Sequence, residues 1–321
     1  MTETTSSTEA LTENPGGTAF FNAPRREVCE HGQVALLGVP SDALVTARAG
    51  TSGGPDALRL ASDAVGMYNV CRDRTFRRGA EAGVVDLGNL RTNRFTPETT
   101  LSRVYQAARG IFQKGARPLL VGGDHALTYS SVRAAAELYP EMYLLHIDAH
   151  FDATDPAQRE CSINHGTYIR NLIENDILRG NQILQLGMRG YQWCATGPQF
   201  VHEHDVWRME MQAFEKQGID PFLRQLHRTD KAPLYVSLDI DSVDPAFAPG
   251  TGEHMPGGFS SREIIRIVNE VFSGSFNIIG ADLVELNPDC DPEGTTCSLA
   301  GVLLAEMVDG MIEPYDTDKH S

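Results

Sequence analysis

The chain has 321 residues, with 43 acidic against 27 basic side chains and a formal net charge of −16. That balance disfavours nucleic acid or an anionic membrane surface as partner. The length suits one α/β domain with a sizeable core. No run of about 18 apolar residues and no charged start followed by an apolar stretch occurs, so neither membrane insertion nor secretion is expected.

Residues 1 to about 20 are rich in Thr, Ser, Glu, Asn and Gly and are expected to form a flexible segment or a subunit contact; residues 21–321 read as one domain. The run Gln33-Val-Ala-Leu-Leu-Gly-Val-Pro40 predicts a first buried strand. Within 49–59, glycines allow a tight loop and Pro55 suits the first turn of a helix; the segment either turns strand into helix or also lines a site. A short strand is predicted at 84–87 and a polar loop at 88–97. Apolar spacing at Leu101, Val104, Ala108, Ile111 and Phe112 then predicts a helix over 99–115.

Strand 118–121 runs into Gly122-Gly-Asp-His125, and a helix follows from Thr128 to Leu138. The apolar stretch Tyr143-Leu-Leu-His-Ile leads into Asp148-Ala-His-Phe-Asp152, a loop over 153–164, and a helix of about ten residues after His165-Gly166. Further strands are predicted at 183–186, 234–239 and 277–285, and helices at 207–228, 260–273 and 295–311, the second capped by Ser260 or Ser261 with Glu263 close behind. This alternation predicts an α/β fold, a single three-layer domain with a parallel sheet and helices on both faces. The cysteines Cys29, Cys71, Cys161, Cys194, Cys290 and Cys297 form no CxxC pair, so reduced thiols and a cytoplasmic setting are expected.

Three strand endings carry the chemistry. In an extended chain alternate side chains share a face, so Asp148, His150 and Asp152 leave one strand end together, as do Asp239 and Asp241 from another. Paired acids on a strand usually mark a solvated face. Here they follow apolar runs that ought to be buried, and buried acids need partners or metal. His125, Asp148, His150, Asp152, Asp239 and Asp241 are therefore candidate ligands. Carboxylates and imidazoles without thiolate suit an ion such as manganese, and four acids suit two ions about 3.5–4 Å apart better than one. His146 reads as a core histidine, and His202-Glu203-His204 as part of a solvated loop.

The set Gly122-Gly-Asp-His125, Asp148-Ala-His-Phe-Asp152 and Ser237-Leu-Asp-Ile-Asp-Ser-Val-Asp-Pro-Ala-Phe-Ala-Pro-Gly250, with 50–62 and Asp282-Leu-Val-Glu285 alongside, resembles the ureohydrolase family of arginases and agmatinases. The resemblance implies an arginase-like fold and that the six candidates bind two manganese ions, with nickel as the alternative. It implies hydrolysis of a guanidino group to urea and an amine by a metal-bridging hydroxide, steadied by Asp241. It also implies that His165 shuttles the proton, that Glu285 grips the guanidinium through paired hydrogen bonds, and that the chain forms a homo-oligomer, a trimer or hexamer.

The loop after Asp152 lacks the Asn and Ser arrangement with which arginases hold an α-amino acid, and Glu253-His254 stands where many relatives carry Thr-Pro. Thr154, Glu253 and His254 are candidate substrate contacts. Arg159 or Arg189 suits a substrate carboxylate, Glu160 or Glu253 a substrate amine, and the loop thiol Cys161 reads as a small buried group. The expectation is a guanidino compound other than free arginine, of the agmatine or guanidinobutyrate type. Alternatives are guanidine itself, a larger guanidino metabolite of a specialised pathway, or a catalytically idle relative.

Overall fold

The computed structural model describes residues 11–77, 83–155, 157, 162–229, 231–273 and 275–312. In chain order the elements are β1 (Thr12–Glu13), β2 (Val34–Val39), α1 (Gly54–Ala64), β3 (Tyr68–Asn69), β4 (Arg74–Thr75), β5 (Val84–Leu90), α2 (Pro97–Gln113) and β6 (Arg117–Gly122). There follow α3 (Leu127–Ala136), β7 (Tyr143–Ile147), α4 (Tyr168–Glu174), β8 (Ile183–Leu186), α5 (Thr196–Glu203), β9 (Trp207–Met209) and α6 (Met211–Gln217). The chain continues through α7 (Asp220–Leu226), β10 (Pro233–Asp239), α8 (Ser261–Val271), β11 (Asn277–Val284) and α9 (Thr295–Met311).

Nine strands form one sheet in the order β1-β5-β2-β6-β11-β10-β7-β8-β9, parallel throughout except for β1. Alternation along the strands sorts the core into two layers. Leu36, Val121, Ile147, Leu186 and Val236 pack with Leu58 of α1, Ile267 of α8 and Leu303 of α9. Their neighbours Leu37 and Leu120 pack with Val104 and Ile111 of α2, and Leu144 and Ile183 with Val132 of α3 and Leu172 of α4. The chain is thus a three-layer α/β domain, as its strand–helix alternation dictates. No helix of the described residues is long and apolar enough to cross a membrane.

Four expectations change. The polar N-terminal segment is held from residue 11 on: Leu11 and Phe20 are buried and β1 pairs antiparallel with β5, because the apolar residues scattered among the polar ones find the edge of the sheet. Strand β5 runs to Leu90 through what reads as the start of a polar loop, since Gly88 at φ 80° keeps the ladder going across an irregularity in the pairing with β2. The helix expected over 207–228 is three elements: Trp207–Met209 pairs with β8, Gly218 at φ 69° ends α6, and Pro221 opens α7. His202 and His204 lie at the end of α5, not in a loop; His204 stacks on Phe200 with centroids 4.0 Å apart.

The 49–59 segment serves the fold. An added Cβ at Gly54 would stand 2.8 Å from the Leu286 carbonyl oxygen and 2.9 Å from that of Gly122, so α1 starts where only glycine lets backbones meet. Arg59, 2% exposed, then reaches into the sheet. Its guanidinium makes paired bonds of 3.0 and 3.1 Å to Asp86, bonds Asn89 Oδ1 at 2.6 Å and the Gly88 carbonyl at 2.9 Å, and lies 4.3 Å from the Phe20 ring.

Candidate metal centre and active site

The four central strands β6, β11, β10 and β7 are neighbours, and each ends in a residue of the site. Strands about 4.8 Å apart bring four such endings into one crevice at their carboxyl edge. Beyond β6 comes His125, beyond β7 Asp148, His150 and Asp152, at the end of β10 Asp239 with Asp241 just past it, and beyond β11 Glu285.

All six expected ligands converge. Nδ1 of His125 lies 3.0 Å from Asp148 Oδ2, 3.2 Å from Asp152 Oδ2 and 3.1 Å from Asp239 Oδ2. One ring nitrogen cannot hydrogen-bond three carboxylates, so these lone pairs surround a point a cation would fill. A second group shares Asp148: Nδ1 of His150 stands 3.0 Å from Asp241 Oδ2 and 3.4 Å from Asp148 Oδ1. Burial pushes the Asp239 carboxyl well up, and the charges of Asp241 and Asp148 add to it; burial likewise raises Asp241. Asp148, equally buried, is held well down by His146 and by hydrogen bonds from the histidines around it. Without a cation the carboxylates must share protons; divalent charge removes that conflict. The donor set therefore fits a divalent-metal site.

Behind the ligands lies a layer of buried polar groups. Ser237 Oγ meets His125 Nε2 at 2.8 Å and donates to Asp282 Oδ1 at 2.6 Å, while Thr128 and Tyr235 hydroxyls donate to Asp282 Oδ2. Gln185 meets His146 Nδ1 at 3.0 Å, and His146 Nε2 meets Asp148 Oδ2 at 2.7 Å. His146 is buried as expected, yet it orients a ligand. The signal lay in the strands: His146 and Ser237 each stand two residues before a ligand, hence on the same face. Such outer partners typically govern metal affinity by about 10- to 100-fold. Ser237→Ala is accordingly expected to weaken metal binding by roughly that factor without unfolding the chain, read by titration with a metal indicator; unchanged affinity would remove Ser237 from this role.

One ligand and one catalytic candidate sit at strained positions. Asp152 has φ 48° and Glu285 φ 63°, left-handed backbone that costs of order 1–3 kcal/mol for such residues and gathers at functional sites. Glu285, which lines the cleft, accepts the His125 backbone N–H at its Oε1 at 2.8 Å and meets His165 Nδ1 with the same oxygen at 3.1 Å. Burial opposes a charge on His165, but the hydrogen bond and charge of Glu285 outweigh it and lift the ring to about 9. At Nε2 the ring meets the Thr46 N–H at 2.9 Å and its hydroxyl at 2.7 Å. The N–H donates to a lone pair at Nε2, so the ring as placed carries its hydrogen at Nδ1, toward Glu285, and a proton at Nε2 would displace the Thr46 N–H.

The cleft above the ligands is lined by Thr46, Thr154, His165, Trp193, Glu253 and Glu285, among others. Two expected contacts fall elsewhere. His254 is exposed, with Nε2 2.6 Å from the Pro249 carbonyl, and does not line the cleft. Arg189 cannot meet a substrate carboxylate: its guanidinium donates to the carbonyls of Asp241 at 2.7 Å, Ser242 at 3.1 Å and Met255, clamping the turn that carries Asp241. Sequence reading did not single out Thr46, Trp193 or Gln185, which sit in loops or strand interiors without a motif. Arg159, Glu160 and Cys161 lie outside the described residues.

The family model of the Arginase family matches residues 32–309. The chain belongs to the arginase family. An agmatinase of Gallus gallus is 30% identical over 307 residues, 94% of this chain and 88% of that protein. A guanidinopropionase of Pseudomonas aeruginosa is 33% identical over 278 residues, 86% of each. Among solved structures, the proclavaminate amidinohydrolase of Streptomyces clavuligerus superimposes with a TM-score of 0.86 at 29% identity, covering 94% of this chain and 98% of that one. An arginase from Bacillus cereus, at 21% identity and a TM-score of 0.73, shares the fold. Within the arginase family the sequence thus stands nearer agmatinases and guanidino-acid hydrolases than arginases.

Proposed function

We propose that this arginase-family chain hydrolyses a small guanidino compound of the agmatine or guanidinobutyrate type to urea and an amine. The observation that carries it is the shared-Asp148 ligand set beside a carboxylate and a histidine that face the same cleft. Two divalent ions, read as manganese, would be held by His125, Asp148, Asp152 and Asp239 on one side and Asp148, His150 and Asp241 on the other. When bound they supply Lewis acidity and an acidified water.

The chain's own groups do the rest. Glu285, through the oxygen that His125 and His165 leave to it, would accept N–H groups of a planar guanidinium and so hold its carbon above the ligands. Glu285 Oε1 holds His165 at Nδ1, so gripping the substrate and orienting the shuttle are one residue's work. His165, lifted to about 9 beside Glu285, would supply the proton that the leaving nitrogen takes. The reading also takes the chain as a homo-oligomer, on family resemblance, and as cytoplasmic, which its free described thiols Cys29, Cys71, Cys194, Cys290 and Cys297 suit.

The test is urea release by manganese-loaded protein across arginine, agmatine, guanidinobutyrate, guanidinopropionate and guanidine, with elemental analysis of the same sample. Turnover on a guanidino compound other than arginine is expected. Because His165 acts as acid and its folded value lies above the ordinary histidine range, activity should persist through neutrality and fall as pH rises through about 9. His165→Asn should lose about 10²- to 10⁴-fold in kcat and flatten that limb. Metal-loaded protein inert on every compound would defeat the proposal.

A further inference from the structure

Two carboxylates outside the ligand set line the cleft, Glu285 and Glu253. Glu253 is held by its surroundings on both sides. Its Oε1 accepts the Trp193 indole N–H at 3.2 Å, and its Oε2 lies 3.6 Å from Nε2 of the ligand His150. The side chain is 22% exposed, and its charge also acts on the His165 ring. The backbone that delivers it is seated firmly: an added Cβ at Gly252 would stand 2.8 Å from the Arg48 carbonyl oxygen, so the 250–253 turn lies directly against the 45–48 segment. The carboxylate therefore faces the space just outside the reacting centre, where the rest of a guanidino substrate must lie.

Positive charge to meet it is scarce. Among the described residues lining the cleft, Arg48 is the single arginine or lysine, and its Nη1 is directed at the Cys290 sulfur 3.8 Å away, a residue that does not line the cleft. Arg189, the other described candidate for gripping a carboxylate, is spent on backbone carbonyls. A substrate ending in a carboxylate would bring its charge toward Glu253 with only the exposed Arg48 and His165, already paired with Glu285, to offset it, whereas an ammonium would meet Glu253 directly.

Resting on the guanidino hydrolysis proposed above, we propose that Glu253 is the specificity-determining residue of the cleft, selecting guanidino compounds whose far end is a cationic amine over those ending in a carboxylate. The partly open position sets the expected discrimination on the order of tenfold rather than thousands.

The experiment uses metal-loaded full-length protein with two readouts. In turnover, wild type should show kcat/KM for agmatine at least about tenfold above that for 4-guanidinobutyrate. Glu253→Gln should bring the ratio toward unity chiefly through KM, and Glu253→Lys should reverse it. In calorimetry, 1,4-diaminobutane should bind more tightly than 4-aminobutyrate to wild type and equally to Glu253→Gln. A wild-type preference for guanidinobutyrate overturns the proposal. So does an unchanged ratio when Glu253→Gln slows both substrates alike, which would make Glu253 a support for His150. If no guanidino compound releases urea, the hydrolase reading falls alone; the calorimetric comparison still decides Glu253, and equal binding of the two amines to wild type overturns it.

Discussion

Asp148→Asn is expected to leave a folded protein that holds little metal and releases urea at least about 10³-fold more slowly, the scale on which a group shared by a whole catalytic unit is felt. Asp148 is the one carboxylate in both ligand groups, with Oδ2 3.0 Å from His125 Nδ1 and Oδ1 3.4 Å from His150 Nδ1. Asparagine keeps its shape and the backbone turn but removes the charge and one acceptor. His146, which meets Asp148 Oδ2 at 2.7 Å, then faces an amide instead of an anion. Elemental analysis and urea release read the result. His204→Ala is the control: that ring is exposed, stacked on Phe200 and absent from the cleft, so activity should stay within about twofold. Equal losses in the two variants would mean the centre has been misplaced.

Arg59→Ala should cost stability rather than chemistry, about 3–5 kcal/mol and a fall in Tm of roughly 10 °C. Asp86 is fully buried and Arg59 only 2% exposed, so truncating the arginine strands a carboxylate in the core. Arg25 offers little rescue, its Nε being 3.8 Å from Asp86 Oδ2. The damage should spread to Phe20, whose backbone N–H also bonds Asp86 at 3.2 Å and whose ring carries the guanidinium. Thermal unfolding monitored by circular dichroism at constant metal concentration tests this. A shift of a degree or two would show that water or a rearranged Arg25 satisfies Asp86.

Much of this was legible in the sequence because strands impose a period of two. Apolar runs ending in Asp148, His150 and Asp152, or in Asp239 and Asp241, fix which way the side chains leave the sheet, and buried acids then demand a cation. The same periodicity placed β2, β6, β7, β10 and β11. What failed did so for identifiable reasons. Trp207, Met209 and Met211 carry apolar spacing compatible with either a helix or an edge strand, and only pairing with β8 chooses the strand. Pro221 marks the later break, but its helix-forming neighbours carry the helical pattern across it. Loop side chains were harder still: Glu253 was visible as an unusual residue, but nothing in the chain told that His254 turns to the Pro249 carbonyl or that Arg189 spends its donors on the backbone. Long-range contacts of that kind have no local pattern.

The placement of the ligands at the tips of β6, β7 and β10, with the strained acid at the tip of β11, has a consequence for how such a protein diversifies. The reactive apparatus is fixed to the buried centre of the sheet, while Glu253, proposed to meet the remainder of the substrate, rides on an intervening connection, 250–253. Such connections can be exchanged, lengthened or recharged with little disturbance to the hydrolytic machinery. A lineage with this arrangement is free to try new nitrogenous nutrients or metabolites one segment at a time, keeping a working reaction throughout.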